Sequence, residues 1–338
     1  MKILVTGGTG YIGSHTVVEL QQSGYEVVIV DNLCNSTAEV VNSIEKITGV
    51  KPDFEKFDLT DPDRTKDFFE RYDISGVIHF AAYKTVPESV KTPLKYYRNN
   101  LLSLLNLLAC MKDSKVAYFV FSSSCTVYGQ PDLLPVNEDA PIKKAVSPYG
   151  NTKQISEEII EDTVKAHGLK AILLRYFNPI GAHESALIGE LPLGIPDNLM
   201  PYITQTAIGK RSGLNVYGDD YNTPDGTAIR DYIHVVDLAK AHVIAVDRLL
   251  AGKKKENFEV FNLGTGNGFS VMEVIRSFEK GSGVKLNYKI TNRRTGDIEK
   301  VWADTNYANK ELGWKAEKTL DEMTLSAWNW EKAIQALA

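Results

Sequence analysis

The chain has 338 residues, 43% hydrophobic and 24% charged, which suits one large globular unit or two lobes with a sizeable core rather than a disordered chain. A net charge of −5 offers no broad basic footprint, so neither nucleic acid nor an anionic membrane is an expected partner. The longest apolar runs fall well short of the roughly 18 residues that suggest a membrane span, Met1 leads straight into a glycine-rich loop with no room for a signal peptide, and Cys34, Cys110, Cys125 and the six histidines show no metal-ligand spacing; a reduced, cytoplasmic, metal-free protein is expected.

In chain order, short β-rich runs alternate with amphipathic helical stretches. KILVT leads to a helix from Tyr11, EVVIVD to a helix, DFEKF to a helix, GVIHF to a long helix through LLSLLNLLACM, AYFVFSS to the helix after SPYG, and AILLRYF closes the series. This alternation predicts an α/β fold, a Rossmann-type doubly wound parallel sheet with helices on both faces. Beyond Arg175 the rhythm breaks into HESALIGELPLGIPDNLMP, and a smaller mixed α/β lobe is expected there. We place the division at 1–177 and 178–338, with elements near 231–263 returning to the first lobe.

The first chemical signal lies at the opening turn. GGTGYIG follows a strand and opens a helix, so Gly7, Gly10 and Gly13 shape a loop whose backbone N–H groups and helix dipole hold a pyrophosphate. Asp31 ends the next strand, 18 residues after Gly13. A carboxylate there binds both ribose hydroxyls of an adenosine and repels a 2′-phosphate, which favours NAD over NADP. Asp58, closing the strand after that, reads equally as an adenine contact or a helix cap.

In SPYGNTK, Tyr149 precedes Lys153 by four positions, so the two share a helix face about one turn apart. Alone, the pair reads as an ordinary exposed helix pair; beside a dinucleotide loop it reads as chemistry. An ammonium about 4 Å from a phenol lowers its pKa by about three units at an effective dielectric near 20, and burial opposes this. The expectation is a Tyr149 phenol brought toward neutrality as a general base. FSSSCTVYG, at the carboxyl end of a strand, supplies Ser124 and Thr126 where a substrate oxygen would meet Tyr149.

Together TGGTGYIGSH, SSSCTVYG, SPYGNTK, RYFNPIGAH, GIPDNLMPY and RDYIHVVDLA resemble the UDP-glucose 4-epimerases of the extended short-chain dehydrogenase/reductase family, over nearly the whole chain. The resemblance implies an NAD-binding first lobe, a nucleotide-sugar-binding second lobe, and inversion at C4 of UDP-glucose or UDP-galactose through a 4-keto sugar. In that scheme Tyr149 takes the proton, Ser124 hydrogen-bonds or relays it, Lys153 holds the nicotinamide ribose, and NAD stays bound. It implies cofactor contacts at Gly7, Gly10, Tyr11, Ile12, Gly13, Asp31, Asn32, Asn35, Ser36, Asp58, Leu59, Phe80, Ala81, Ala82, Lys84, Asn99 and Phe177, together with Ser124, Tyr149 and Lys153. The nucleotide sugar is matched to Ser124, Thr126, Tyr149, Asn178, Asn198, Leu199, Asn215, Val216, Tyr217, Arg230, Arg294, Asp297 and Val301. Arg230 and Arg294 suit a diphosphate, because a guanidinium grips phosphate oxygens bidentately; the bland alternative for Arg294 is a charged surface turn.

Three departures and extensions accompany the resemblance. AYKTVPE carries Tyr83, Thr85 and Pro87 where the family has smaller or more flexible residues, and Ser103 replaces a common glycine. Val301 stands where a bulky tyrosine marks members confined to UDP-glucose and UDP-galactose, so UDP-GlcNAc and UDP-GalNAc are expected substrates too, unless Tyr83 refills the space. The long helix carries Leu101, Leu105 and Leu108 on one stripe and Leu104, Leu107 and Met111 on the next, wider than sheet packing requires, and the resemblance points to a homodimer there. The competing readings are another NAD-dependent nucleotide-sugar epimerase, a 4,6-dehydratase, and a non-catalytic NAD-sensing protein. Cys125, Thr126 and Val127 give a dehydratase no acid, and a sensor has no need of Ser124, Tyr149 and Lys153 together.

Overall fold

In the computed structural model, residues 1–294 and 297–337 are described. The first half runs β1 (Lys2–Thr6), α1 (Tyr11–Gln22), β2 (Glu26–Asp31), α2 (Glu39–Thr48), β3 (Asp53–Lys56), α3 (Pro62–Arg71), β4 (Gly76–His79), α4 (Val86–Lys91), α5 (Pro93–Asp113) and β5 (Tyr118–Ser124). A 3-10 turn (Cys125–Tyr128) follows, then α6 (Pro148–His167), β6 (Lys170–Tyr176), β7 (Asn178–Ile180), α7 (Leu199–Ala207) and β8 (Leu214–Tyr217). The remainder is β9 (Ile229–His234), α8 (Val235–Leu250), β10 (Phe258–Leu263), β11 (Gly268–Ser270), α9 (Val271–Ser282), β12 (Tyr288–Thr291), β13 (Lys300–Val301) and α10 (Leu320–Leu337).

Seven strands form one sheet in the order β10-β6-β5-β4-β1-β2-β3, all neighbours parallel. Its strands are apolar on both sides because both sides are covered. Ile3 and Val5 of β1 face a cluster with Val17 and Val18 of α1 and Leu238 of α8, while Leu4 between them faces a cluster with Leu104 and Leu107 of α5 and Ile160 of α6. The strand order reverses direction between β1 and β4, and ligands of such sheets gather outside the carboxyl ends at that point.

The chain leaves the sheet after Tyr176 and returns to it at Phe258, whose strand pairs with β6 from Ala171 to Tyr176. The expected return near 231–263 is thus divided. Residues 231–234 belong to β9, which pairs with β7, β11 and β13 in a separate small sheet, whereas α8 packs on α1, β5 and β6. Strand propensity reveals that a segment pairs, not with which sheet. A second core of Met200, Ile203, Val216, Tyr232, Phe278, Met323 and Trp328 fills the smaller lobe, which also holds the two-stranded pair β8–β12.

Candidate active site

The residues matched to the cofactor lie at the carboxyl ends of β2 and β5, in the loops after β1, β2, β3, β4 and β6, and in the first turn of α1, joined by Asn99 of α5 and by Tyr149 and Lys153 of α6. In the first loop Gly7 has φ +71° and an added Cβ there would meet the Ala81 nitrogen at 2.8 Å. A Cβ at Gly13 would meet the Gly7 carbonyl oxygen at 2.2 Å, so no side chain fits. At Gly10 the only atom an added Cβ would meet is that same carbonyl oxygen, at 3.1 Å, and the rest of the space is open. Gly10 is also the N-cap of α1 and gives the helix no side-chain cap. Gly7, Thr9 and Gly10 spend their own N–H groups on Val30, Asp31 and Gly7, so the donors that fit a pyrophosphate are those of the first turn of α1, approached over the bare Gly10.

Around it, buried Asp31 accepts from the backbone nitrogens of Thr9 (3.3 Å) and Leu33 (2.9 Å) and from the Ser36 hydroxyl (3.4 Å). Asp58 accepts from Thr60 through its N–H (2.9 Å) and hydroxyl (2.7 Å) and from the Asn32 amide (2.9 Å). Burial pushes the Asp58 carboxyl up, but these hydrogen bonds outweigh it and hold it below the usual range. Asp58 caps this turn; the N-cap of α3 is Asp61. Tyr11 donates its hydroxyl to the Gly181 carbonyl at 2.6 Å and so ties α1 to the smaller lobe. Ile12 packs on the core of the first lobe, the Phe80 ring lies 4.7 Å from His242, Ala81 takes its N–H to the Thr6 hydroxyl at 3.4 Å, and buried Phe177 follows β6. Ala82, Asn35 and Leu59 lie in the same set of loops. Asn99 donates to Asn100, and Lys84 pairs with Glu190 at 3.3 Å.

Ser147 opens α6 by accepting from the Gly150 N–H at 3.1 Å, with Pro148 at the first helical position, which suits its fixed φ. Tyr149 therefore lies in the first turn and Lys153 one turn along. The Lys153 ammonium donates to the Ser122 carbonyl and lies 4.7 Å above the Phe121 ring. Burial lowers the Lys153 pKa to about 8, against the pull of Glu157. Tyr149 departs from the expected direction. Burial pushes its phenol up to about 12, and a hydrogen bond with Ser124 only partly offsets this. The lysine is anchored on β5 and does not bring the phenol down by itself in the ligand-free protein.

Ser124 is buried, and its hydroxyl accepts from the Thr126 N–H at 3.3 Å. The Thr126 hydroxyl itself is buried without a partner, two residues after Ser124. Beneath them is a brace that the sequence does not announce. Glu157 of α6 receives a two-point contact from Arg175 of β6, at 2.9 and 2.6 Å, and a hydrogen bond from Ser123. Arg175 reaches on to the Tyr128 hydroxyl at 2.9 Å, which donates to Asn262 of β10 at 2.7 Å. Charged residues in a sequence read as surface, and only the fold shows this pair buried and fully bonded.

The residues matched to the nucleotide sugar lie in and beside the smaller lobe. Asn178 opens β7, and Asn198 precedes Leu199 at the start of α7 without capping it. The Asn198 amide and the Lys84 ammonium meet on one carboxylate oxygen of Glu190. Asn215, Val216 and Tyr217 form β8. Arg230 lies in β9 directly beside Val301 of β13, and its guanidinium donates to the Ile229 carbonyl at 2.8 Å. Arg294 grips Asp297 at 2.9 and 3.1 Å and stacks on Tyr217, half exposed, so ion pair and candidate ligand grip coexist. Val301 is buried in a small cluster with Val127, Tyr128, Phe177 and Ala303. Tyr83 does not refill space near it: its ring packs on Tyr96 at 5.7 Å under the Lys95 ammonium.

Known proteins resemble this chain over nearly its whole length. A protein-family model described as GDP-mannose 4,6 dehydratase matches residues 4–326. A UDP-glucose 4-epimerase of Drosophila melanogaster is 49% identical over 336 residues, 97% of this chain and 96% of the fly protein. The crystal structure of a UDP-glucose 4-epimerase from Stenotrophomonas maltophila, with bound NAD and formylated UDP-arabinopyranose, superposes with a TM-score of 0.96 at 49% identity over 100% of both chains. One from Bifidobacterium longum in complex with NAD+ and UDP gives 0.94 at 48% identity over 98% of each.

Proposed function

Because the chain belongs to the UDP-glucose 4-epimerase family, we propose that it interconverts UDP-glucose and UDP-galactose with Ser124, Tyr149 and Lys153 as the working groups. The observation that carries this assignment is the packing of the first turns of α6, which bear Tyr149 and an anchored Lys153, against the turn that follows Ser124 at the carboxyl end of β5: a Cβ at Gly150 would lie 3.6 Å from that of Thr126, and Gln154 donates to the Val127 carbonyl at 2.8 Å. Bound NAD supplies the acceptor and donor of the C4 hydride and, when oxidised, a positive charge. Tyr149 takes the proton of the sugar 4-hydroxyl and returns it after the 4-keto sugar has presented its other face. Ser124 donates to the phenolate, and Lys153 fixes one more positive charge on the β5 side; both lower a phenol that burial has raised. Asp31 takes the adenosine ribose, the Gly10 cradle the pyrophosphate, and Arg230 and Arg294 the sugar nucleotide diphosphate. The dehydratase reading lacks its acid, since the turn after Ser124 is Cys-Thr-Val-Tyr and burial raises the Cys125 thiol to about 12. The test is conversion of UDP-galactose to UDP-glucose by purified protein with no NAD added. Turnover is expected; a protein that carries NAD yet shows none overturns the reading.

The same reading extends to N-acetyl sugars through Val301, a small side chain beside Arg230. Wild type is expected to turn over UDP-GalNAc, and Val301→Tyr to lower the ratio of that rate to the UDP-galactose rate at least tenfold. The ratio cancels any overall loss from overpacking this buried cluster. No turnover of either N-acetyl sugar by wild type overturns the extension.

We assign the assembly as a homodimer formed by α5 and α6. Leu108 is buried with Leu104, Leu107 and Met111 against the sheet, which narrows the free surface to Leu94, Leu105 and partly exposed Leu101, Leu102 and Tyr97. Leu94 is 81% and Leu105 47% exposed, and Ile155 and Ile159 of the adjoining α6 extend the patch. A reduced cytoplasmic setting and a role in galactose metabolism suit the three free cysteines and the substrate pair.

A further inference from the structure

Among the described residues, four buried side-chain polar atoms lack any hydrogen-bond partner: His15 Nε2, Thr126 Oγ1, Tyr221 Oη and His242 Nε2. Each histidine uses its other ring nitrogen, on the Tyr11 and Leu238 carbonyls. The two hydroxyls have no such second bond. A buried hydroxyl without a partner costs about 1–3 kcal/mol, so an unpaired one in an otherwise well-satisfied protein calls for an explanation. Thr126 belongs to the site already proposed. Tyr221 lies elsewhere, in the loop between β8 and β9, and none of the motif residues named above includes it.

The loop holds Tyr221 in one place. Its N–H donates to the Gly226 carbonyl at 2.9 Å and its carbonyl accepts from the Thr223 N–H at 2.8 Å. The ring is 5% exposed, edge-on to the Gly218 backbone and roofed by the Arg293 guanidinium 4.0 Å from its centroid. Asp220 fixes that roof by accepting from Arg293 Nε at 2.7 Å. The next residue, Asn222, donates its N–H to the Glu299 carboxylate at 3.2 Å, while the Glu299 backbone carbonyl accepts from Ile229 and lies 3.5 Å from Arg230 Nη1. Both neighbours of this loop carry a guanidinium of the diphosphate pair: Glu299, bonded to Asn222, lies beside Arg230, and Tyr217, next to the Gly218 that the ring edge meets, has Arg294 4.9 Å above its own ring.

We propose that Tyr221 is a further substrate-binding residue, whose hydroxyl donates a hydrogen bond to an anionic oxygen of the nucleotide diphosphate held by Arg230 and Arg294. The assignment rests on the diphosphate site proposed above. An acceptor rather than a donor is expected opposite the phenol, because Arg230 and Arg294 are held by residues that adjoin its loop and the ligand group that suits them is an anion. The roof and the loop hydrogen bonds orient the ring before the ligand arrives, so little rotamer freedom is lost on binding.

The test compares NAD-loaded wild type and Tyr221→Phe by calorimetric titration with UDP and, separately, uridine. Loss of a hydrogen bond to a charged group is expected to weaken UDP roughly tenfold and leave uridine unchanged. The ligand-free melting temperature should stay the same or rise, because the variant removes an unpaired buried hydroxyl; a structural role would lower it. A UDP affinity within twofold of wild type overturns the proposal, and equal weakening of UDP and uridine overturns the assignment to the diphosphate. Wild type that binds no UDP would instead refute the site itself.

Discussion

At the scale of single residues, Tyr149 carries the clearest expectation. Tyr149→Phe removes only the proton acceptor, so turnover should fall by two to four orders of magnitude while NAD stays bound, checked by steady-state assay and cofactor absorbance after denaturation. Lys153 supplies a pH test. Burial lowers its pKa in the folded protein from 10.5 to about 8, so between those values the unfolded chain binds more protons than the folded one. Stability therefore gains from this group as pH rises through that window, and the penalty is fullest below it. Relative to Lys153→Met, the ligand-free wild type should gain on the order of 3 kcal/mol between pH 7.5 and 10.5; parallel denaturation curves across the range would contradict the assignment of a buried, strained ammonium. Side chains with motif spacing, such as Tyr149 and Lys153, are legible because spacing alone places them on one helix face. Glu157, Arg175 and Tyr221 are not, because nothing local distinguishes a buried charge or a covered phenol from its exposed counterpart.

At the scale of elements, the three glycines of the first loop separate folding from binding. Gly13→Ala drives a methyl into the Gly7 carbonyl at 2.2 Å and should destabilise the protein by several kcal/mol, seen as a large drop in melting temperature. Gly10→Ala meets a single atom at 3.1 Å, so the ligand-free protein should lose about 1 kcal/mol or less while its retained NAD drops sharply. Equal effects at both positions would sink the distinction between a packing glycine and a cradle glycine. Strand–helix alternation through residue 176 is readable from hydrophobic period and turn chemistry. The orientation of α5 is not: its two leucine stripes are equivalent on paper, and only the position of α3 and α6 decides that Leu108 turns inward and Leu105 outward. On this account Leu105→Lys should shift a dimer to monomer by light scattering with little change in the melting temperature of the monomer, since that side chain adds no internal packing.

For the whole molecule, the buried Glu157–Arg175–Tyr128–Asn262 chain connects α6, β6, the turn after Ser124 and β10, so the helix that bears Tyr149 is braced by a strand that the sequence supplies more than eighty residues after the sheet first seems complete. The division at residue 177 describes where ligands are expected and not where folding units end. A fragment of residues 1–177 leaves β6 without its neighbour and Arg175 without the far end of its network. It should elute as aggregate on size-exclusion chromatography, and a soluble monomer with cooperative unfolding would contradict this.

The pairing of Phe258–Leu263 with Ala171–Tyr176 also has a meaning in time. During synthesis the first six strands emerge and wait, their outermost strand presenting a bare row of amide and carbonyl groups, until the segment that seals it leaves the ribosome. The intervening stretch includes β8, β9 and the Tyr221 loop, so much of the smaller lobe is made before the seven-stranded sheet is closed. Nascent chains are accordingly most exposed to mispairing over that interval, and a synonymous change of translation speed within it should alter the yield of active protein without altering the protein.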